Sequence, residues 1–168
     1  METCEGVIYM KEVKHKYDLY LSGKMRGCPQ LNHPIFNAIA KRLRQLGYSV
    51  FNPAEHEGGL TNGVDRSAFA VFLARDLHTI INECKGIIFI PEWEDSLGAN
   101  AEAFVAFVCN KKAMIINNLS LTASKNTELE VDFDIVSVDL TNYRLPYGEG
   151  KTRQFNPHKC DLHSFESG

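Results

Sequence analysis

The sequence predicts an α/β fold with a mainly parallel central sheet of about five strands, covered by helices on both faces. Short apolar runs alternate along the chain with longer segments whose apolar residues recur every three or four positions. This alternation is typical of buried strands that are joined by amphipathic helices. The run 86–90 (GIIFI) is apolar throughout, as expected of a central parallel strand.

The first predicted unit is a strand–helix–strand crossover. Residues 17–21 (YDLYL) are the predicted first strand and lead into a Ser-Gly turn. Pro34 suits the first turn of a helix, and Gly47 suits its end. Between them, apolar residues recur at helical spacing: Ile35, Ile39, Leu43 and Leu46. Residues 48–51 (YSVF) are the second predicted strand.

The rest of the chain continues the alternation. The predicted elements are a surface loop at 56–63, a helix at 66–84, the strand at 86–90, a polar loop at 91–98, a helix at 99–109, a strand at 113–116 and a fifth strand at 133–140. We expect one domain over residues 17–140, with an N-terminal extension at 1–16. Residues 141–168 are turn-rich and polar, and we expect a loose tail or an arm packed on a neighbouring subunit.

Composition excludes several classes of protein. The chain has 168 residues, 44% of them hydrophobic, which is enough for one domain with a real core. No apolar run approaches the roughly 20 residues of a membrane span, and the charged N-terminus is unlike a signal peptide. A net charge of −3 argues against broad nucleic-acid binding. Five scattered cysteines without a CxxC motif predict reduced thiols in a cytoplasmic protein.

Ligands of open α/β sheets bind beyond the carboxyl ends of the strands. Three segments follow predicted strands and are therefore candidates: Ser22–Pro29, Asn52–Gly63 and Pro91–Glu102.

The first of these segments contains the turn SGKMRG, in which glycines flank basic residues. Gly23 and Gly27 would let the backbone approach an anion, and Lys24 and Arg26 would supply positive charge. The turn lacks the P-loop and dinucleotide signatures. It is either a phosphate-binding turn or an ordinary exposed one.

Two carboxylates stand out. Asp76 falls on the apolar stripe of its predicted helix, where carboxylates are rare unless paired; it either serves a site or reaches water at the helix end. Glu102 falls near the start of the next helix, where the dipole favours an ionised carboxylate. It suits a nucleophile or a stabiliser of a cation, although acidic residues are common at helix starts.

Other chemistry is not indicated. The six histidines show no metal-ligand spacing such as HExxH, and no GxSxG elbow is present. We therefore expect no metal and no organic cofactor. The single tryptophan, Trp93, either stacks on a base or covers the core.

Taken together, these motifs resemble the nucleoside 2-deoxyribosyltransferase superfamily. The resemblance rests on YLSGKMRG at 20–27, ARDLHTI around Asp76, and CKGIIFIPEWEDSLGANAEAFVAF, which contains Glu102. The small DUF4406-type proteins and the 2'-deoxynucleoside 5'-monophosphate N-glycosidases are similar in the same motifs. The likeness covers about residues 17–117 and implies a flavodoxin-like (Rossmann-like) three-layer sandwich.

The resemblance also implies a reaction, cleavage of the N-glycosidic bond of a nucleoside or nucleotide. Glu102 would be the nucleophile, and the hydroxyl of Tyr20 would orient it. Asp76 would be the second acid, which binds a sugar hydroxyl or assists proton transfer to the base. Four residues would match the positions that hold a 5'-phosphate in the monophosphate-cleaving relatives: Gly23, Arg26, Gly27 and Ser96. Further candidate substrate-binding residues are Ser22, Lys24, Trp93 and Gly98. Two departures are Lys24, where relatives that bind phosphate have a small hydroxyl residue, and the NAEAF context of Glu102.

The general chemistry of such a reaction fits these residue types. Cleavage builds positive charge on the sugar, which a carboxylate stabilises or captures, and an acid with a raised pKa assists the leaving base. On this interpretation Asp76, among apolar neighbours, has the raised pKa. The expected partner is a small nucleotide or nucleoside, with no stable nucleic-acid or membrane partner, and the resemblance implies a homodimer or larger homo-oligomer. The alternatives are a non-catalytic nucleotide-binding module and an NAD glycohydrolase.

Overall fold

The computed structural model describes residues 14–56, 66–124, 128–142, 144–147 and 151–154. Most of the predicted N-terminal extension, the predicted loop beyond His56 and the end of the tail lie outside these residues.

The described residues form a mixed α/β structure around a five-stranded sheet. Its strands are β1 (Tyr17–Ser22), β2 (Val50–Phe51), β3 (Cys84–Phe89), β4 (Lys112–Ala123) and β5 (Leu129–Val138), in the spatial order β2-β1-β3-β4-β5. The first four are parallel, and β5 runs antiparallel to β4. The helices are α1 (His33–Gln45), α2 (Arg66–Glu83) and α3 (Leu97–Val108). The predicted mainly parallel sheet is confirmed.

The two faces of the sheet bury different helices, because side chains alternate along a strand. Leu19 and Leu21 of β1 lie in one apolar cluster with Phe36, Ile39 and Leu43 of α1. Tyr20, between them in sequence, lies in the other cluster.

The second cluster contains residues of both α2 and α3: Ile80, Ala99, Ala103 and Ala106. The small alanines of α3 let this helix approach the sheet closely. Helices α2 and α3 are also in contact with each other. The side chains of Tyr20 and Ser22 therefore face the α2–α3 side of the sheet.

The direction of the last strand differs from a fully parallel arrangement. The predicted strands at 113–116 and 133–140 left enough chain for a crossover, which in parallel sheets takes a dozen or more residues. In the structure β4 extends to Ala123 and β5 begins at Leu129. Residues 124–128 alone join them, and such a short connection permits only an antiparallel pair.

Smaller differences occur elsewhere. The second strand is confined to Val50–Phe51, and α1 leaves Leu46 exposed beyond its last turn. Helix α3 begins at Leu97, earlier than predicted, because the Ser96 side chain accepts a hydrogen bond from the Ala99 backbone N–H and caps the helix.

The predicted loose tail is partly ordered. Leu140–Asn142 form a 3-10 turn, and the strands β6 (Arg144–Tyr147) and β7 (Lys151–Gln154) pair as an antiparallel hairpin. β6 lies beside the 3-10 turn at Trp93–Asp95. Among the residues that the structure describes, no helix is both long enough and apolar enough to span a bilayer.

Candidate active site

The centre of the candidate site is Glu102, whose carboxylate receives two hydrogen bonds from β1. The Tyr20 hydroxyl donates to Oε1 at 3.0 Å, and the Ser22 hydroxyl donates to Oε2 at 2.5 Å. Tyr20 and Ser22 are two positions apart on a strand and therefore point to the same face. All three residues are buried, with 0%, 1% and 7% of Tyr20, Ser22 and Glu102 exposed. The side chain of Glu102 is thus fixed across a separation of about 80 residues in sequence.

The pKa of Glu102 is raised to about 8, chiefly by burial and in smaller part by the charge of Asp76. Hydrogen bonds from Ser22 and Tyr20 and the charge of Arg75 act in the opposite direction. The sequence argument assigned the ionised role to Glu102 because of the helix dipole. In the structure Glu102 lies in the second turn of α3, where the dipole has weakened, and desolvation is the larger effect.

Asp76 lies on α2, close enough for its charge to act on both Glu102 and Tyr20. Only 6% of the residue is exposed, as its place on the apolar stripe predicted. Its Oδ1 accepts two hydrogen bonds from Arg75, from Nη2 at 2.6 Å and Nε at 2.8 Å. Asp76 is therefore part of a partly buried ion pair, and the sequence-based picture of an isolated acid among apolar neighbours was incomplete.

Sequence reasoning missed Arg75 and the stacked rings of Tyr20, Phe51 and His56 near it. The third contact of the Arg75 guanidinium is a hydrogen bond from Nη1 to the backbone oxygen of His56, at 3.1 Å. Phe51 stacks between the rings of Tyr20 and His56, at centroid distances of 5.6 and 4.5 Å. The only indication of this contact in the sequence was the adjacency of Arg75 and Asp76 in ARDLHTI. Side chains at adjacent helix positions do not ordinarily pair.

The turn after β1 contains the predicted Gly23, Lys24 and Gly27. A Cβ at Gly23 would lie 3.0 Å from Ile90 Cβ, so packing alone accounts for this glycine. Gly27 has φ = +78°, a conformation that favours glycine. The backbone oxygen of Lys24 accepts a hydrogen bond from Asn32 Nδ2 at 2.9 Å, which anchors the turn to the start of α1.

Three predicted substrate-binding residues lie around one phenylalanine of α2. The Arg26 guanidinium lies over the ring of Phe69, 4.1 Å from its centroid. A Cβ at Gly98 would lie 3.8 Å from the same ring. Ser96, at the N-cap of α3, is adjacent. This corner combines a cation with a helix N-terminus, both of which favour anions.

Trp93 lies in the core. The residue is 2% exposed, and its ring stacks on Phe89 at a centroid distance of 4.1 Å. The tryptophan therefore fills the α2–α3 side of the core, which agrees with the second of the two roles that the sequence left open, stacking on a base or covering the core. Trp93 begins the short 3-10 turn Trp93–Asp95. Burial of its large apolar indole ring is favourable, which explains this position.

The order of strands reverses between β1 and β3, and such reversals are where open α/β sheets bind ligands. Tyr20 and Ser22 lie at the end of β1 at this point, and α2 and α3 bring in Asp76 and Glu102. The described residues thus unite the two predicted carboxylates in one site.

Comparison with known proteins gives a family but no described activity. A search of curated proteins finds no match. A family model described as "Domain of unknown function (DUF4406)" matches residues 17–115. This match covers Tyr20, Asp76 and Glu102 and the corner around Arg26. The chain therefore belongs to the DUF4406 family.

Proposed function

We propose that the protein cleaves the N-glycosidic bond of a nucleoside 5'-monophosphate, with Glu102 as the nucleophile. The observation that carries the proposal is the buried Glu102 carboxylate, held on both oxygens by Tyr20 and Ser22 and placed beside Asp76. A carboxylate held in one orientation presents its oxygen to a reacting carbon without losing conformational freedom during the reaction.

The reaction requires a carboxylate of this kind. As the bond from C1' to the base nitrogen breaks, positive charge develops on the sugar, and an ionised Glu102 captures or stabilises it. The base leaves with the bonding electron pair and takes up a proton. Water, or a second base, then attacks C1' and restores the free carboxylate.

The resemblance implies two roles for Asp76, binding a sugar hydroxyl or assisting proton transfer to the base, and the contacts with Arg75 favour the first. A carboxylate that already accepts two hydrogen bonds from Arg75 is suited to binding a hydroxyl group of the sugar. We assign it that role, with the proton on the leaving base supplied by solvent.

The substrate class follows from the corner around Phe69. Arg26 and the N-terminus of α3, capped by Ser96, suit the two negative charges of a 5'-phosphate. A phosphate held there would add binding energy remote from the reacting bond, which enzymes use to orient the sugar.

The finer features of the fold and assembly belong to the same proposal. The strand order β2-β1-β3-β4-β5 is that of flavodoxin-like folds, and we propose a three-layer sandwich of that type. We further propose a cytoplasmic homo-oligomer, on the analogy of the superfamily that the motifs resemble.

One observation favours a second candidate, a nucleotide-binding module without turnover. Both oxygens of Glu102 are engaged, and burial raises its pKa to about 8. A protonated carboxyl of this kind would serve as a hydrogen-bond donor to a ligand and would not attack carbon.

Turnover assays distinguish the two candidates. Purified protein is incubated with ribo- and deoxyribonucleoside monophosphates, the matching nucleosides and NAD, and free base is measured by chromatography. The proposal predicts release from monophosphates that is lost in Glu102→Gln. Binding of a monophosphate by both proteins, with no release by either, would favour the binding module. Consumption of NAD in place of monophosphates would refute the substrate class.

A further inference from the structure

The proposed function assigns no role of its own to Arg75, which lies beside the two carboxylates. Its guanidinium donates two hydrogen bonds to Asp76 Oδ1 and a third to the His56 backbone oxygen. Its side chain is 28% exposed. We propose that Arg75 is a positioning residue, which holds Asp76 beside Glu102 and ties both to the segment that follows β2. The consequence of this inference for catalysis rests on the proposed function. Its test by NMR titration does not.

The geometry of the pair indicates that it is not a routine helix contact. Consecutive helix residues point about 100° apart and do not face each other. The Arg75 side chain must therefore curl back to reach Asp76. The rings of Phe72 and Phe51 lie against its guanidinium, at 5.2 and 6.0 Å from their centroids. These rings and the His56 oxygen hold the arginine in the curled conformation.

The chemistry of the contact requires arginine. A planar guanidinium presents donors in several directions from one rigid group. Arg75 uses this property to contact a carboxylate on α2 and a backbone oxygen after β2 at the same time. A lysine ammonium directs all its donors from one atom and cannot reproduce both contacts with the same geometry.

The contact between Arg75 and Asp76 also affects the protonation of Glu102. The groups that face this carboxyl are Tyr20 and Ser22 from β1 and Arg75 and Asp76 from α2. The charge of Asp76 raises the pKa of Glu102, and that of Arg75 lowers it. Without Arg75, the positive charge that offsets the Asp76 charge would be lost, which favours the protonated form of Glu102.

The test is a carbon-13 NMR titration of the glutamate side-chain carboxyl groups, in which Glu102→Gln identifies the Glu102 signal. The neutral variants Arg75→Gln and Arg75→Met are expected to raise the Glu102 midpoint, because the positive charge that lowers it is removed. Arg75→Lys is expected to titrate close to the wild type, because it retains the charge.

Arg44→Met is the matched control. Arg44, on α1, also forks onto a carboxylate, that of Glu55, and donates to a backbone oxygen, that of Val50. Its loss is expected to leave the Glu102 midpoint unchanged.

Turnover adds a second readout. With a monophosphate substrate, kcat is expected to fall at least tenfold in all three Arg75 variants, the scale of about 1.4 kcal/mol, with a smaller change in KM. The pH at half-maximal rate is expected to rise only in the neutral variants. A protein without turnover would refute the proposed function, while the NMR titration would still decide the role of Arg75.

Two results would overturn the inference. One is an unchanged Glu102 midpoint in the folded neutral variants, or an equal change in Arg44→Met. The other is loss of folding in both neutral variants, with normal folding and unchanged kcat in Arg75→Lys, which would make Arg75 a structural residue only.

Discussion

Replacing Glu102 by glutamine is expected to change how the stability of the protein depends on pH. The pKa of the Glu102 carboxyl is 4.5 in the unfolded chain and about 8 in the folded protein. Between these values the folded protein holds a proton that the unfolded chain has lost, so the free energy of unfolding falls as pH rises. The slope is about 1.4 kcal/mol per pH unit, and the whole interval corresponds to about 5 kcal/mol.

Urea unfolding of the wild type and Glu102→Gln at pH 5 to 9 measures this effect. Other titrating groups are common to both proteins, so their contributions cancel in the difference. The difference in free energy of unfolding between the two proteins near pH 5 serves as the baseline, because Glu102 is then protonated in the folded protein. The variant is expected to gain several kcal/mol relative to the wild type by pH 9. A difference that stays constant across this range would refute the reasoning, since it would mean that Glu102 is already ionised at pH 5.

Further predictions concern the neighbours of Glu102 and the substrate corner. Ser22→Ala removes a hydrogen bond that lowers the Glu102 pKa, so the NMR midpoint of Glu102 should rise; no rise would argue against the contact. Arg26→Ala should weaken monophosphate binding in calorimetry by about 1.5–3 kcal/mol and leave nucleoside binding unchanged, and equal losses for both ligands would contradict a phosphate role. Gly23→Ala should destabilise the fold by about 1–3 kcal/mol through overpacking, which thermal unfolding would detect. Trp93→Ala should cost about 3–5 kcal/mol of stability as a core truncation; a stable variant with lost ligand affinity would restore the base-stacking role.

Periodicity in the sequence predicted much of the architecture. The apolar run at 86–90 predicted a central strand, and the stripe containing Asp76 predicted a carboxylate against the core. Both features are local, because a helical stripe or an apolar run depends only on nearby residues.

Features that depend on tertiary structure were not predictable in the same way. The Ser22–Glu102 hydrogen bond joins residues far apart in sequence, and the Arg75–Asp76 pair violates the usual helix spacing. Desolvation of Glu102 depends on how closely α3 packs on the sheet. For this reason the sequence argument did not predict the raised pKa of Glu102.

Strand direction illustrates the same limit. The alternation of strands and helices predicted parallel strands, but the ends of β4 and β5 were placed several residues from their positions in the structure. The length of the connection decides between a crossover and a hairpin. An error in two strand ends was therefore enough to hide the antiparallel strand.

A crystal structure of Glu102→Gln with a bound nucleoside monophosphate would test the central claim most directly. The account predicts the anomeric carbon within about 3.5 Å of a terminal atom of the side chain at position 102, with the phosphate at Arg26. A monophosphate bound with its sugar turned away from that side chain, or bound elsewhere on the protein, would contradict it.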